Sequence, residues 1–170
     1  MMSFLAWIES WSFCVWVRET SSVFGEPMFL FFHTLGMSMI AGVSAVIDLA
    51  FLGFWPKSSI KPLEKLYPVM WTGFCLNLVT GTVLLLADAT TKIPSVVFWT
   101  KMVFVFTGVY LLTVIRKKIF GFPQLEQGLL PAGARVLAFA SIFCWLGAIE
   151  AGRLLAYLGP VSGVTGLTNR

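Results

Sequence analysis

Few side chains in this sequence can do chemistry, and they stand far apart. The stretch FLFFHTLGMSM, residues 29–39, holds the only histidine, His33, inside an apolar run. Met37 follows one helical turn later. Lys101, Glu150 and Arg153 interrupt other apolar runs, and Asp48 lies fifteen residues after His33. An imidazole so placed has three broad uses. It can donate one hydrogen bond and accept another, tying helices together. It can also be a ligand. Imidazole is a common axial ligand of haem b, with Met37 or another methionine, a second protomer's His33 or no sixth ligand completing the iron. Lys101 and Arg153 would then pair with the propionates. Imidazole with thioether sulfur also suits Cu(I), which makes His33 and Met37 a candidate copper pair. A third use, a proton or quinone relay through His33, Lys101 and Glu150, draws on the tendency of ionisable groups at depth to mark pathways. All three stay open on sequence alone.

Other chemistries are poorly served. The chain has no nucleophile elbow, no HExxH, no nucleotide-binding glycine loop and no paired metal-ligand spacing. One histidine cannot build a three-histidine metal site. Cys14, Cys75 and Cys144 are widely spaced and odd in number, which reads as packing rather than a disulfide or zinc framework. No basic stripe interleaved with aromatics is present to track a phosphate backbone, so nucleic acid is not an expected partner. A non-enzymatic protein is the expectation.

The elements that position these residues are membrane spans. Of 170 residues, 58% are hydrophobic and 12% charged, and the mean hydropathy is +0.86. A soluble domain carries about 25% charged residues, so this chain has too little polar surface to face water all round. The apolar residues fall into four blocks, 28–54, 66–87, 93–115 and 136–158, each near the roughly 20 residues that cross a bilayer. Pro27, Pro56 and Pro94 punctuate their ends. The expected fold is an all-α four-transmembrane-helix antiparallel bundle. Residues 4–17 hold Trp7, Trp11 and Trp16 but are broken by Glu9, Ser10 and Ser12, which predicts an amphipathic helix on the membrane surface rather than a fifth span. The chain thus divides into an N-terminal interfacial helix and linker (1–26), the transmembrane domain (27–158) and a polar, glycine-bearing tail (159–170). The N-terminus lacks the basic start and cleavage site of a signal peptide and is expected to be retained.

Loop charges set the orientation. Lys57, Lys61 and Lys65 follow span one, while Arg116, Lys117, Lys118 and Arg135 follow span three. The positive-inside rule places both basic loops in the cytoplasm and both termini outside. At about 100° per residue, Met37, Ile40, Ser44 and Asp48 fall within about 60° of His33. Asn77, Gly81 and Asp88 share a side of span two, Lys101 and Gly108 of span three, and Gly147, Glu150 and Arg153 of span four. These faces are expected to point into the bundle. At ~1.5 Å rise per residue, His33, Lys101, Glu150 and Arg153 lie at similar depth near the outer side. Lys101 is therefore expected to pair with Glu150. The small faces of spans one and two are available to hold a homo-oligomer or another membrane subunit.

Three sequence blocks carry a resemblance. They are HTLGMSMIAGVSAVIDLAFLG (33–53), WTG through TG (71–81) with FWTK (98–101), and WLGAIEAGRLLAY (145–157). Together they resemble a family of small bacterial inner-membrane proteins catalogued only as a domain of unknown function. A looser likeness runs to membrane proteins of the copper-resistance D type and to haem-bearing four-helix proteins. The resemblance implies a multi-pass protein of the bacterial inner membrane and carries no established reaction with it.

Overall fold

The structure is a computed structural model and describes residues 2–56, 60–127 and 129–157. Lys57, Leu158 and the tail 159–170 lie outside the described residues. Four helices are long and apolar enough to cross a membrane, and the chain is an all-α, multi-pass membrane protein. The first span is α3, Glu26–Leu52 (α1 and α2 precede it and are described below). It starts with Pro27 at a position where a missing N–H costs nothing. It ends at Gly53, whose φ of 102° closes the helix in the left-handed region. The second span opens with a 3-10 turn, Lys61–Leu66, and continues as α4, Tyr67–Leu86. A single turn, α5 (Ala89–Lys92), leads to α6, Val96–Ile115, which runs on through a π turn to Phe120. The fourth span is α7, Ala134–Tyr157. Each span agrees with its expected block to within a few residues.

Helix α3 is the spine of the bundle and packs along both α4 and α7, while α6 leans on α7. Its approach to α4 rests on missing side chains. A Cβ on Gly36 would stand 2.8 Å from the Gly73 carbonyl oxygen and 2.9 Å from the Asn77 nitrogen. Both obstacles are backbone, so neither can swing aside. Gly36 of span one and Gly73 of span two are thus used inside the chain by this crossing. An apolar core lies toward the end that carries the basic loops, called the inner end after the orientation expected from the loop charges. There Phe51, Phe120, Ile47, Ile115, Met70 and Tyr67 are buried together. Lys61 Nζ donates to the Phe120 carbonyl at 2.8 Å, and the Arg116 guanidinium lies 5.4 Å from the centre of the Tyr67 ring. These contacts bring the two basic loops to one end of the bundle, as the charge count requires.

The opposite, outer end carries the N-terminal segment. Instead of one surface helix there are two short ones, α1 (Met2–Glu9) and α2 (Ser12–Glu19). The break falls where the Ser10 hydroxyl caps the Trp7 carbonyl at 2.6 Å. Leu5, Cys14 and Val17 are buried, whereas Phe4, Trp7, Trp11, Phe13 and Trp16 are exposed, so the pair is two-faced as expected. Its inner side docks on protein. The Glu9 carboxylate accepts from the Thr90 backbone N–H at 2.6 Å and from the Thr90 hydroxyl at 3.1 Å, and Arg18 donates to the Ala87 carbonyl at 3.1 Å.

Candidate functional site

The polar side chains within the spans gather in two clusters, one toward each end. The outer cluster is built around His33. Its ring lies against α4 at Gly81, where a Cβ would come within 2.9 Å of the imidazole Cε1. Glycine is needed there because the ring fills the space a side chain would take. His33 Nδ1 lies 3.2 Å from the Thr80 hydroxyl, and His33 Nε2 lies 3.4 Å from Lys101 Nζ on α6. The His33 backbone carbonyl accepts from the Asn77 amide at 2.8 Å. One residue therefore touches three helices.

The direction of these bonds can be assigned. The Thr80 hydroxyl donates to the Leu76 carbonyl of its own helix at 2.7 Å. Its single proton is used, so it can only accept from His33, which must carry hydrogen on Nδ1. Nε2 is then the acceptor and Lys101 Nζ the donor. The chain of bonds reads Lys101 to His33 to Thr80 to the Leu76 carbonyl, each donor used once. At the mouth above it, Lys92 Nζ donates to the Leu84 carbonyl at 2.7 Å and stands 3.7 Å from Asp88.

Several expected members of this cluster are elsewhere. Among the described residues, no ion pair joins Lys101 to Glu150. Glu150 and Arg153 are exposed on the outside of α7. The reason is rotational. The buried line of α7 runs through Ala134, Ala138, Ser141, Trp145 and Ala148, and Glu150 stands about 200° around the helix from Ala148. Lys101 does meet α7 near the expected level, but opposite Gly152, where a Cβ would lie 3.7 Å from its Cε and Nζ. The rise along the helices brings Lys101 to the level of α7 expected for it, but the rotation of α7 turns Glu150 away. Met37 is half-buried and packs against the apolar core rather than beside a free imidazole nitrogen.

The inner cluster joins α3 to α7. Asp48 has none of its surface exposed. Its Oδ2 accepts from the Ser44 hydroxyl at 3.2 Å, and Ser44 lies 3.0 Å from the Ser141 hydroxyl. Since Ser44 gives its proton to Asp48, Ser141 is the donor to Ser44. Among the described residues, Asp48 Oδ1 and Trp145 Nε1 are buried without a hydrogen-bond partner. Trp145 sits one turn outward from Ser141, with its ring against Gly108. Ser141 and Thr80 were not recognised in the sequence. Small hydroxyl residues in spans mostly bond their own helix, as Thr72, Thr82 and Thr100 do here, so nothing local marks the two that reach across.

The residues fit a metal or haem poorly as arranged. A cation on His33 Nε2 would take the place held by the Lys101 ammonium, and Nδ1 is occupied by Thr80. Among the described residues, no group of three His, Cys, Asp or Glu side chains converges. Compared with known proteins, the chain matches no family model, no curated protein and no solved structure.

Proposed function

We propose that this chain is a non-enzymatic subunit of a bacterial inner-membrane assembly, with His33 serving as an interhelical lock. The observation that carries this reading is that the imidazole has both nitrogens engaged, one by α4 and one by α6, while its own helix is α3. An intramembrane polar group gains most when its partners are fixed, because lipid offers none. The basic inner end belongs in the cytoplasm by the positive-inside rule, which puts both termini and the His33 cluster on the periplasmic side. The competing reading makes His33 a ligand to haem b or copper, with Met37 beside it and Lys101 turned away from Nε2.

A visible spectrum and metal analysis of the purified protein, with His33→Ala beside it, decide between them. A lock predicts a colourless protein with no stoichiometric copper, and a variant that unfolds at lower temperature. A Soret band or bound copper lost in His33→Ala would overturn the lock.

A further inference from the structure

The outward face of α7 carries charges that a lipid-facing surface does not require. Between Val136 and Arg153, the exposed residues are Val136, Phe139, Phe143, Leu146, Glu150 and Arg153. Their spacing is three, four, three, four, three, and Tyr157 continues it. This spacing keeps the stripe on one side of α7, as the same spacing does on α6; what sets the α7 stripe apart is that it carries charge. The intervening residues, Ala138, Ser141, Cys144, Trp145, Ala148 and Ala151, are buried against the rest of the bundle.

The stripe carries two charges inside the span. Arg153 is four residues from the end of α7, about 6 Å along the axis, and its long stem can lift the guanidinium to the interface. Glu150 is about 10 Å from that end and has a short side chain. It has no comparable escape, and a carboxylate in hydrocarbon is costly unless paired. The other exposed stripes of the spans are apolar or carry only hydroxyls away from their ends. On α6, for example, Val96, Trp99, Val103, Phe106 and Tyr110 face outward.

We infer that this α7 stripe is the interface with a second copy of the same chain. Two copies inserted with the same topology hold their α7 helices parallel, so like levels face each other. Glu150 of one copy and Arg153 of the other are then offset by about 4.5 Å along the axis. The contact occurs twice about the two-fold, giving a neutral set of four charges. Below it, the Leu146, Phe143, Phe139 and Val136 layers pack on their counterparts. The surface is self-complementary in sign and in spacing, as an isologous interface must be. The inference rests on α7 crossing a bilayer and is independent of what His33 does.

The test uses the full chain in lipid vesicles. Leu146→Cys in a Cys75→Ser background should form an intermolecular disulfide under mild oxidation, while Val103→Cys on α6 in the same background should not. Glu150→Arg or Arg153→Glu alone should lower the dimer fraction, weakening association about tenfold. The double exchange E150R/R153E should restore it. Glu150→Gln, which introduces no repulsion, should weaken association less than the reversals and serves where a reversal fails to insert. Cross-linking at 146 no stronger than at 103 would overturn the interface. So would association indifferent to Glu150→Gln and to both single reversals, or a double exchange that stays monomeric. A haem or copper at His33 would leave these outcomes untouched.

Discussion

The outer and inner polar clusters solve the same problem differently. Around His33, three helices meet and every polar atom of the imidazole has a partner. Around Asp48, only α3 and α7 meet, the carboxyl is fully buried, and one of its oxygens has no partner among the described residues. The packing differs in the same sense. The inner cluster sits beside the aromatic and aliphatic core of Phe51, Phe120, Ile47 and Ile115, which holds the helices together without it. At the outer end the close approach of α3 and α4 depends on glycine, and α6, which packs on α7, reaches His33 through the long side chain of Lys101. A polar group holds a bundle most firmly where apolar packing is thinnest and where all its bonds are made.

That contrast can be broken most forcefully at Gly36. Gly36→Val would drive α3 and α4 apart, because the new methyls meet the Gly73 carbonyl and the Asn77 backbone. A loss of about 3 kcal/mol is expected from overpacking, read as a lower unfolding midpoint in detergent. His33→Ala comes next. It removes both side-chain bonds and strands Lys101 Nζ, with an expected cost of about 2 kcal/mol. Lys101→Met keeps the apolar stem and removes only the ammonium, so about 1 kcal/mol should be lost. Asp48→Asn is expected to shift stability by less than about 0.5 kcal/mol, or to raise it, because the Ser44 bond survives and a buried carboxyl is removed. If Asp48→Asn proved more damaging than His33→Ala in the same unfolding assay, the ranking of the two clusters would be reversed.

Much of this architecture could be read before any coordinates. The four spans announced themselves because a bilayer demands about twenty apolar residues in a row. The prolines at 27, 56 and 94 marked their ends. The depth of His33 and Lys101 also followed from counting, since rise along a helix is fixed by its geometry. Rotation about the helix axis was harder. In a soluble helix, the polar face points to water and reveals the buried one. Along α7 both faces are apolar, and the charges at Glu150 and Arg153 lie on the face away from the core. Polarity alone would place them inward, because charge avoids lipid. The bulky Trp145, on the buried line, gave no counter-signal, because its pocket is made by Gly108 on another helix. The polar break at Glu9 and Ser10 is plain in the sequence, but the division into two helices at that break is not. Glu9 interrupts the aromatic run because it bonds Thr90 more than eighty residues away, and no local pattern records such a partner.

The most direct test of the account uses the chain's single histidine. Selective 15N labelling of histidine yields one imidazole, with no assignment needed. The bond directions around Thr80 and Lys101 require a ring protonated on Nδ1, with an unprotonated, hydrogen-bond-accepting Nε2. The 15N shifts should show that tautomer in bilayers, and Lys101→Met should move the Nε2 resonance more than Nδ1. A ring protonated on Nε2, or resonances broadened or shifted by a bound paramagnetic metal, would contradict it.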